Sequence, residues 1–243
     1  DGVGKGACGG TIVVRSPGGG SEEPGGNVLV GNFALFGATG GRTFVEEQAG
    51  ARLAERNSVA TAVVEGVGDF CCEYKTNGAV LNIGSFGKGF ANGMSGGFAY
   101  QYDPYGELAD KASHDSVLLS NLDDGSSLSE MHGDVVRHLL ALHYEATGSR
   151  KAAWLIKNFD SERRNFVCAM PKSLLLYQDS DAILAARSRK ELIEELSAAL
   201  VAHQLRKFKQ ALKAGVPVLD GAVPGYGETD TDNMYVLLNY YLV

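Results

Sequence analysis

No eighteen apolar residues follow one another anywhere in this sequence, so no segment is expected to span a membrane. The chain opens without an initiator Met and without a charged-then-apolar leader, which leaves a processed N-terminus or a piece of a longer chain as the two expectations. Basic residues are in the minority. Against 29 Asp and Glu stand 22 Lys and Arg, and the formal net charge of −7 speaks against a broad nucleic-acid footprint. Cysteine is sparse and badly spaced for metals: Cys8, Cys71, Cys72 and Cys168 form no CxxC pair, and no His stands beside them at zinc-site spacing. Such usage favours a reducing compartment. Adjacent Cys71 and Cys72 are expected on opposite faces of a strand, one buried and one outward.

Glycine, by contrast, is abundant. The 243 residues include 32 glycines, nearly twice the ordinary share of about 7%. Hydrophobic residues make up 44%, enough for a substantial core. Between residues 27 and 102 short apolar runs alternate with glycine corners at a fixed period. Val45, Val63, Leu81 and Ala99 lie eighteen residues apart; Gly31, Gly50, Gly68 and Gly87 follow at steps of nineteen, eighteen and nineteen; Gly78 and Gly97 form a second such pair. One short strand and one glycine corner per unit of about eighteen residues is the pattern of a stacked solenoid. The expected fold is therefore a parallel β-helix. One coil cannot bury its inward Val, Leu and Phe, whereas several coils cover one another. Glycine then sits where φ is positive or where backbones crowd. A disordered Gly-rich linker would lack the recurring β-branched and aromatic residues.

Ile12, in "TIVV", lies eighteen residues before Val30, in phase with the later coils, so the solenoid is expected to have begun by the first residue. An open end exposes unpaired backbone, and a protein partner or upstream sequence is expected to cover it. "GGGSEEPGG" at residues 18–26 reads as an inserted loop, and "DPYGE" at 103–107 as the turn that ends the repeat. From 129 to 147 the pattern becomes helical, with Val135, Val136, Leu139, Leu140 and Leu142 as its stripe; Gly148 ends this helix and Ser149 caps the next. "NFVCAMPK" at 165–172 is extended. The segment 188–214 is expected to form a long helix with a Ser188–Glu191 capping box, and "MYVLLNYYLV" is an apolar end to be buried somewhere. Leu196, Leu200, Phe208, Tyr235, Tyr240 and Tyr241 are the candidate docking residues of this tail. The division expected is a β-helix over 1–107, a helical extension over 108–172 and a docking tail over 173–243.

Few constellations carry chemistry. "GVGKGA" at 2–7 has the letters of a dinucleotide fingerprint, but a strand follows it where the motif needs one before. Near Lys88 a P-loop fails, because its first position is Asn82 and its last is Gly89. His132, His138 and His143 share a helix without an i, i+4 pair. Asp69 with Glu73, or Glu46 with Glu47, form either an acid pair or corner groups that accept backbone N–H bonds. Glu65 facing inward needs a partner. Arg42, Arg52 and Arg56 are either partners for these acids or ligands for an anion. No catalytic residue, cofactor site or metal site is assigned. A bulky residue at Gly68 or Gly97 is expected to disturb the stack by forcing a positive φ on a side chain.

Several motifs in order, "DGVGKGACGGTIVVRSP", "GNFALFGATGG", "AGARLAERNSVATAVVEGVGDFCCEY", "TNGAVLNIGSFGKGFANGMSGGFAY" and "FVCAMPK", resemble the C-terminal domain of the glutamate synthase large subunit over residues 1–172. That domain is named for G-x-G-x-G glycines, which match Gly2, Gly4 and Gly6. A related β-helix occurs in a formylmethanofuran dehydrogenase subunit. The resemblance implies a right-handed parallel β-helix, a role in holding other domains together, and a cytoplasmic or plastid-stromal setting. It also implies that the glutaminase nucleophile, the FMN and the three-cysteine iron–sulfur cluster lie in other domains. Residue 1 here is Asp, and the four cysteines do not reproduce the cluster spacing. Two departures stand out: family members have further coils before the position of Asp1, and the tail from about residue 174 does not resemble the family. Two functional expectations follow, a non-catalytic scaffold domain, or a linker subunit that kept the fold, lost the enzyme and docks through its tail. A third, an independent enzyme with a site on the β-helix face, has less behind it.

Overall fold

The protein is described from a computed structural model, which covers residues 1–16, 26–125 and 127–172. In chain order its strands are β1 (Cys8–Val14), β2 (Val28–Val30), β3 (Gly40–Val45), β4 (Gln48–Ala49), β5 (Thr61–Gly66), β6 (Ala79–Ser85), β7 (Phe98–Tyr102), β8 (Val117–Asn121) and β9 (Phe166–Pro171). The helices are α1 (Leu108–Lys111), α2 (Ser127–Thr147), α3 (Arg150–Lys157) and α4 (Phe159–Glu162).

The β-branched runs pair in parallel, β1 with β3, then β5, β6 and β7, one strand per rung. A short second wall joins β2 to β4. The fold is thus a β-solenoid with helices appended, as the glycine period predicts. Whereas the edge strand β1 is mostly exposed, from β3 to β7 the sheet is buried on both faces, which explains why these strands read as largely apolar runs. Its inner face, with Ala62, Val64, Val80 and Ala99, lines the solenoid interior. Its outer face, with Phe44, Val63, Leu81 and Tyr100, packs under Val135, Val136, Leu139 and Leu140 of α2.

The register corrects one reading. A strict step of eighteen puts Val45 and Ala99 in one column with Val63 and Leu81. The observed column is Phe44, Val63, Leu81 and Tyr100, with steps of nineteen, eighteen and nineteen. A slip of one residue turns a side chain to the other face. Val45 and Ala99 accordingly face the interior, while Phe44 and Tyr100 meet α2. Ile12 likewise pairs with Thr43 in the large sheet, and Val30 pairs with Ala49 in the small one, so the two are not successive positions of one column.

Beyond β7 the solenoid is closed off. The Asp103 carboxylate accepts the N–H groups of Glu107 and Leu108, both at 2.9 Å, and so starts α1. Strand β9 adds to β7 antiparallel, and β8 adds to β9 in the same sense. Ser149 caps α3 as expected, its side chain accepting from Ala152 N–H at 2.9 Å, after Gly148 with φ +77°. None of the helices among the described residues is long and apolar enough to cross a membrane.

Candidate functional site

The wall opposite the strands is the most unusual part of the molecule. It stacks five corner segments, beginning at Gly2, Phe33, Arg52, Phe70 and Gly89. Each makes two overlapping β-turns. Lys5 N–H reaches Gly2 C=O and Ala7 N–H reaches Gly4 C=O, and the same pair recurs in every rung, up to Asn92 to Gly89 and Met94 to Ala91. The third residue of each turn has φ near +60°, as a type II turn demands. Every second residue is therefore left-handed, and the G-x-G-x-G motif is the first such corner.

Later rungs place larger residues in the same left-handed positions. Phe33, Leu35 and Gly37 follow Gly2, Gly4 and Gly6; next come Arg52, Ala54 and Arg56, then Phe70, Cys72 and Tyr74, then Gly89, Ala91 and Gly93. A side chain in this conformation costs about 1–2 kcal/mol. The rungs hold it by bonding to each other. Arg52 and Arg56 donate to Asp69 and Glu73 carbonyls in the rung above, while Ala54 donates to Ala34 in the rung below. The middle column (Leu35, Ala54, Cys72, Ala91) points inward and is buried. The two outer columns carry Phe33, Arg52 and Phe70 on one side and Arg56 and Tyr74 on the other. The Arg52 guanidinium lies 5.7 Å from the Phe33 ring and 5.5 Å from that of Phe70, and it pairs with Glu55 at 3.3 Å and Glu73 at 3.4 Å.

The singled-out glycines divide by cause. Gly2, Gly4, Gly6, Gly78 and Gly97 have positive φ. Gly31, Gly50, Gly68 and Gly87 do not. A Cβ on any of these four would come within 3.0 Å of the rung below. In three of them the obstacle is a side chain at work: Asp1 accepts from Asn32 N–H, Asn32 from Ala51 N–H and Asp69 from Lys88 N–H. At Gly68 close stacking on Ala51 is the constraint, which replaces the expected positive φ; at Gly97 φ is +71°.

The interior corner holds a lysine that sequence reading passed over. Lys75 is fully buried, and its Nζ donates to Gly78 C=O at 2.6 Å and Gly96 C=O at 3.4 Å. One rung below, Asn57 closes the same corner by bonding Ala60 through both its amide groups. Burial pulls the Lys75 amine down to about 8. Two polar residues eighteen apart, each four residues before the first residue of a strand, were the available signal.

Cys71 and Cys72 do not alternate across a strand. They stand in a corner, where the left-handed Cys72 turns both thiols inward, 3.7 Å apart and buried. The bond between them and burial push Cys71 up. Burial alone would raise Cys72, but the bond from Cys71 and the Lys75 charge outweigh it and bring Cys72 down. Burial likewise raises Cys168; Cys8 is exposed on β1.

The acids behave as corner groups. Ser16 N–H donates to Glu46, Asn27 N–H to Glu47 and Lys88 N–H to Asp69. Glu73 pairs with Arg52, Arg42 bonds Thr11, and Glu65 finds its partner in His143 at 3.0 Å. His132 and His143 lie on α2 and are fully buried, against Phe98 and Phe44 respectively. Nδ1 of His132 shares a 2.9 Å hydrogen bond with the Tyr100 hydroxyl, and burial pulls its imidazole down to about 3. Among the described residues no group of three His, Cys, Asp or Glu is placed to hold a metal ion. Leu196, Leu200, Phe208, Tyr235, Tyr240 and Tyr241 lie outside the described residues.

A family model described as "GXGXG motif" matches residues 1–172. The chain is 41% identical over 172 residues to a glutamate synthase [NADH] of Schizosaccharomyces pombe, covering 71% of this chain and 8% of that protein. It is 40% identical over 173 residues to a chloroplastic ferredoxin-dependent glutamate synthase of Spinacia oleracea (71% and 10%), and 38% identical over 174 to a glutamate synthase [NADPH] large chain of Bacillus subtilis (71% and 11%). The chain thus spans about a tenth of the length of these curated relatives.

Proposed function

The chain belongs to the GXGXG-motif family, and from that premise we propose that it is the rigid, non-catalytic scaffold domain of a glutamate synthase-type enzyme, holding amidotransferase and FMN-binding domains in fixed relation. The observation that carries this reading is the double ladder. Strand wall and corner wall are both hydrogen-bonded from rung to rung, so the rungs share one register. A body built this way transmits position with little bending. Three of its four thiols are buried, and the corner acids Glu46, Glu47, Asp69 and Glu73 are bonded within the solenoid, in line with that role. In this reading 1–107 is the scaffold, 108–172 its closing extension, and 173–243 a docking tail; FMN and an iron–sulfur cluster belong to other domains. Its buried free thiols suit a reducing setting, cytoplasm or plastid stroma.

Grafting residues 1–172 in place of the matched segment of the S. pombe enzyme tests the proposal. Glutamine-dependent glutamate formation within about tenfold of the parent is the expected result at the permissive end of single-site kinetic effects. A folded graft without activity overturns it, as does glutamine hydrolysis or FMN binding by this chain alone. One observation favours a second reading, a linker subunit that kept the fold and lost the enzyme: the family match stops at residue 172, leaving 173–243 outside it.

A further inference from the structure

Four corners of the left-handed wall turn two successive side chains into the interior: Ala34 with Leu35, Leu53 with Ala54, Cys71 with Cys72, and Phe90 with Ala91, all buried. In a strand, adjacent side chains point to opposite faces. Here the second residue of each pair has a positive φ, +58°, +59°, +61° and +59° in turn, and both side chains come to one side. Three rungs fill the two places with apolar carbon. One fills both with a free thiol, and the Sγ atoms of Cys71 and Cys72 stand 3.7 Å apart. The other cysteines are elsewhere: Cys8 is exposed on β1, and Cys168 lies in the core on the α2 side of the sheet.

The pair is unequal. The bond to Cys72, then burial, push Cys71 up, so it keeps its proton. Burial alone would raise Cys72, but the bond from Cys71 and the Lys75 charge bring it down. Cys72 therefore supplies the thiolate, the form that attacks oxidants, with a second thiol in contact to complete a disulfide. Both sulfurs lie beneath half-buried Phe70 and exposed Tyr74, so an oxidant that reaches them must be small and uncharged.

The peptide between the two residues is held from both sides. Its C=O accepts from Ala91 N–H in the rung above and its N–H donates to Leu53 C=O in the rung below, both at 2.8 Å. A trans peptide sets adjacent Cα atoms about 3.8 Å apart, short of the roughly 4.4 Å at which ordinary disulfides begin. Drawing the sulfurs to about 2.0 Å therefore twists this peptide against its two inter-rung bonds. Strain of that kind makes a disulfide easy to reduce.

We propose that Cys71 and Cys72 are an oxidative modification site, which hydrogen peroxide closes into a vicinal disulfide that loosens the corner wall and which reduced glutathione reopens. The Cys72 thiolate attacks one peroxide oxygen; an S–O bond forms, the O–O bond breaks, and the departing hydroxide takes up the proton Cys72 had released. Cys71 Sγ then attacks Cys72 Sγ; the S–S bond forms, the S–O bond breaks, and the leaving hydroxide takes the Cys71 proton. The two thiols give up two electrons and two protons, and peroxide becomes two waters. Two glutathione thiols reverse the step and leave as glutathione disulfide. The site lies wholly within this chain and does not depend on the scaffold reading.

The test exposes the full folded chain to hydrogen peroxide at neutral pH, denatures it in iodoacetamide, and reads the peptide bearing both residues by mass spectrometry. The expected peptide is lighter by two hydrogens and carries no alkyl group. Both thiols return on incubation with reduced glutathione, and the oxidised chain melts below the reduced one. Cys8→Ser should behave as the unmodified chain does. Cys71→Ala removes the second thiol, so Cys72 should pass on to sulfinic acid, and recovery by glutathione should fall at least about tenfold. Two alkylated thiols at 71 and 72, under peroxide that oxidises Cys8, overturn the proposal. So does sulfinic acid at Cys72 of the unmodified chain beside a free Cys71, or a disulfide from either residue to a second chain. A vicinal disulfide that resists glutathione, or leaves Tm unchanged, refutes the strained, reversible bond. Full recovery in Cys71→Ala refutes the pairing; should that variant not fold, the unmodified chain decides alone.

Discussion

Ala62 and Ala54 belong to one rung and stand in different walls. Ala62 lies on β5, its methyl buried in the interior between neighbouring strands. Ala54 is equally buried in the same interior, but its φ is +59°. The strand wall suits β-branched and aromatic residues because a pleated, fully covered surface rewards bulk. The corner wall would suit glycine at every second position, because a left-handed backbone penalises any Cβ. That it also accepts Phe, Leu, Arg, Cys and Tyr shows what stacking can do. Once a rung is bonded above and below, its neighbours determine its dihedrals, and the local preference of a residue becomes a cost that the stack carries.

The sharpest way to break the comparison is to crowd the stack itself. Gly84 ends the straight part of β6, and a Cβ there would run into the Glu65 carbonyl of the rung below. Gly84→Ala is expected to cost about 4 kcal/mol or more, or to prevent folding, because backbone must move. Gly37→Ala, left-handed but facing open space, should cost only about 1–2 kcal/mol. Urea titrations of the two would give nearly equal losses if rung contact were unimportant.

The strand wall can be loosened through acid. His132 bonds Tyr100 and packs on Phe98, with its imidazole pulled to about 3 by burial. The unfolded chain takes up this proton near pH 6.5 and the folded chain does not. Stability therefore falls as pH drops from about 6.5 toward 3, by up to about 1.4 kcal/mol per pH unit. Between pH 6 and 4 the unmodified chain should lose about 2 kcal/mol more than His132→Asn. Parallel losses would mean that the His132 imidazole is not held neutral by burial in the folded chain.

The corner wall answers to alkali instead. Lys75 titrates near 8 when folded and near 10.5 when unfolded. Below pH 8 both states are charged and the burial cost is present in full. From pH 8 toward 10.5 the folded state has released the proton and the unfolded state has not, so stability rises with pH. Between pH 7.5 and 9.5 the unmodified chain should gain about 2 kcal/mol relative to Lys75→Met. A flat difference would mean the amine is not buried.

The smallest effect is the most diagnostic in sign. Ala62→Gly should destabilise by about 1–2 kcal/mol, from lost methyl burial and strand entropy. Ala54→Gly loses the same methyl but relieves the left-handed backbone, and should range from neutral to about 1 kcal/mol stabilising. Equal losses at both positions would show that the corner φ carries no strain.

Much of the architecture was legible. The strands between 40 and 102, the end of the repeat at Asp103, α2, and the Ser149 cap all follow from short-range pattern, because burial, capping and turn chemistry act on neighbouring residues. Less legible was the register. Phe44 and Tyr100 replace Val45 and Ala99 in their column because the step alternates between nineteen and eighteen, and a one-residue difference is invisible to a periodicity built on apolar letters alone. The antiparallel return of β9 onto β7 was hidden too, since a strand does not state its partner. At the candidate site the first corner was readable from Gly2, Gly4 and Gly6. Phe33, Arg52 and Tyr74 were not, because no local rule places such residues in a left-handed turn.

By itself, the chain of residues determined that rungs would form and where glycine must allow them to touch: spacing, branching and small size are properties each residue carries before folding. Only the assembled stack decided that five bulky side chains stand outward in a conformation they resist, and that one lysine lies wholly inside. Both depend on hydrogen bonds from adjacent rungs, which exist only once residues eighteen or nineteen apart lie side by side.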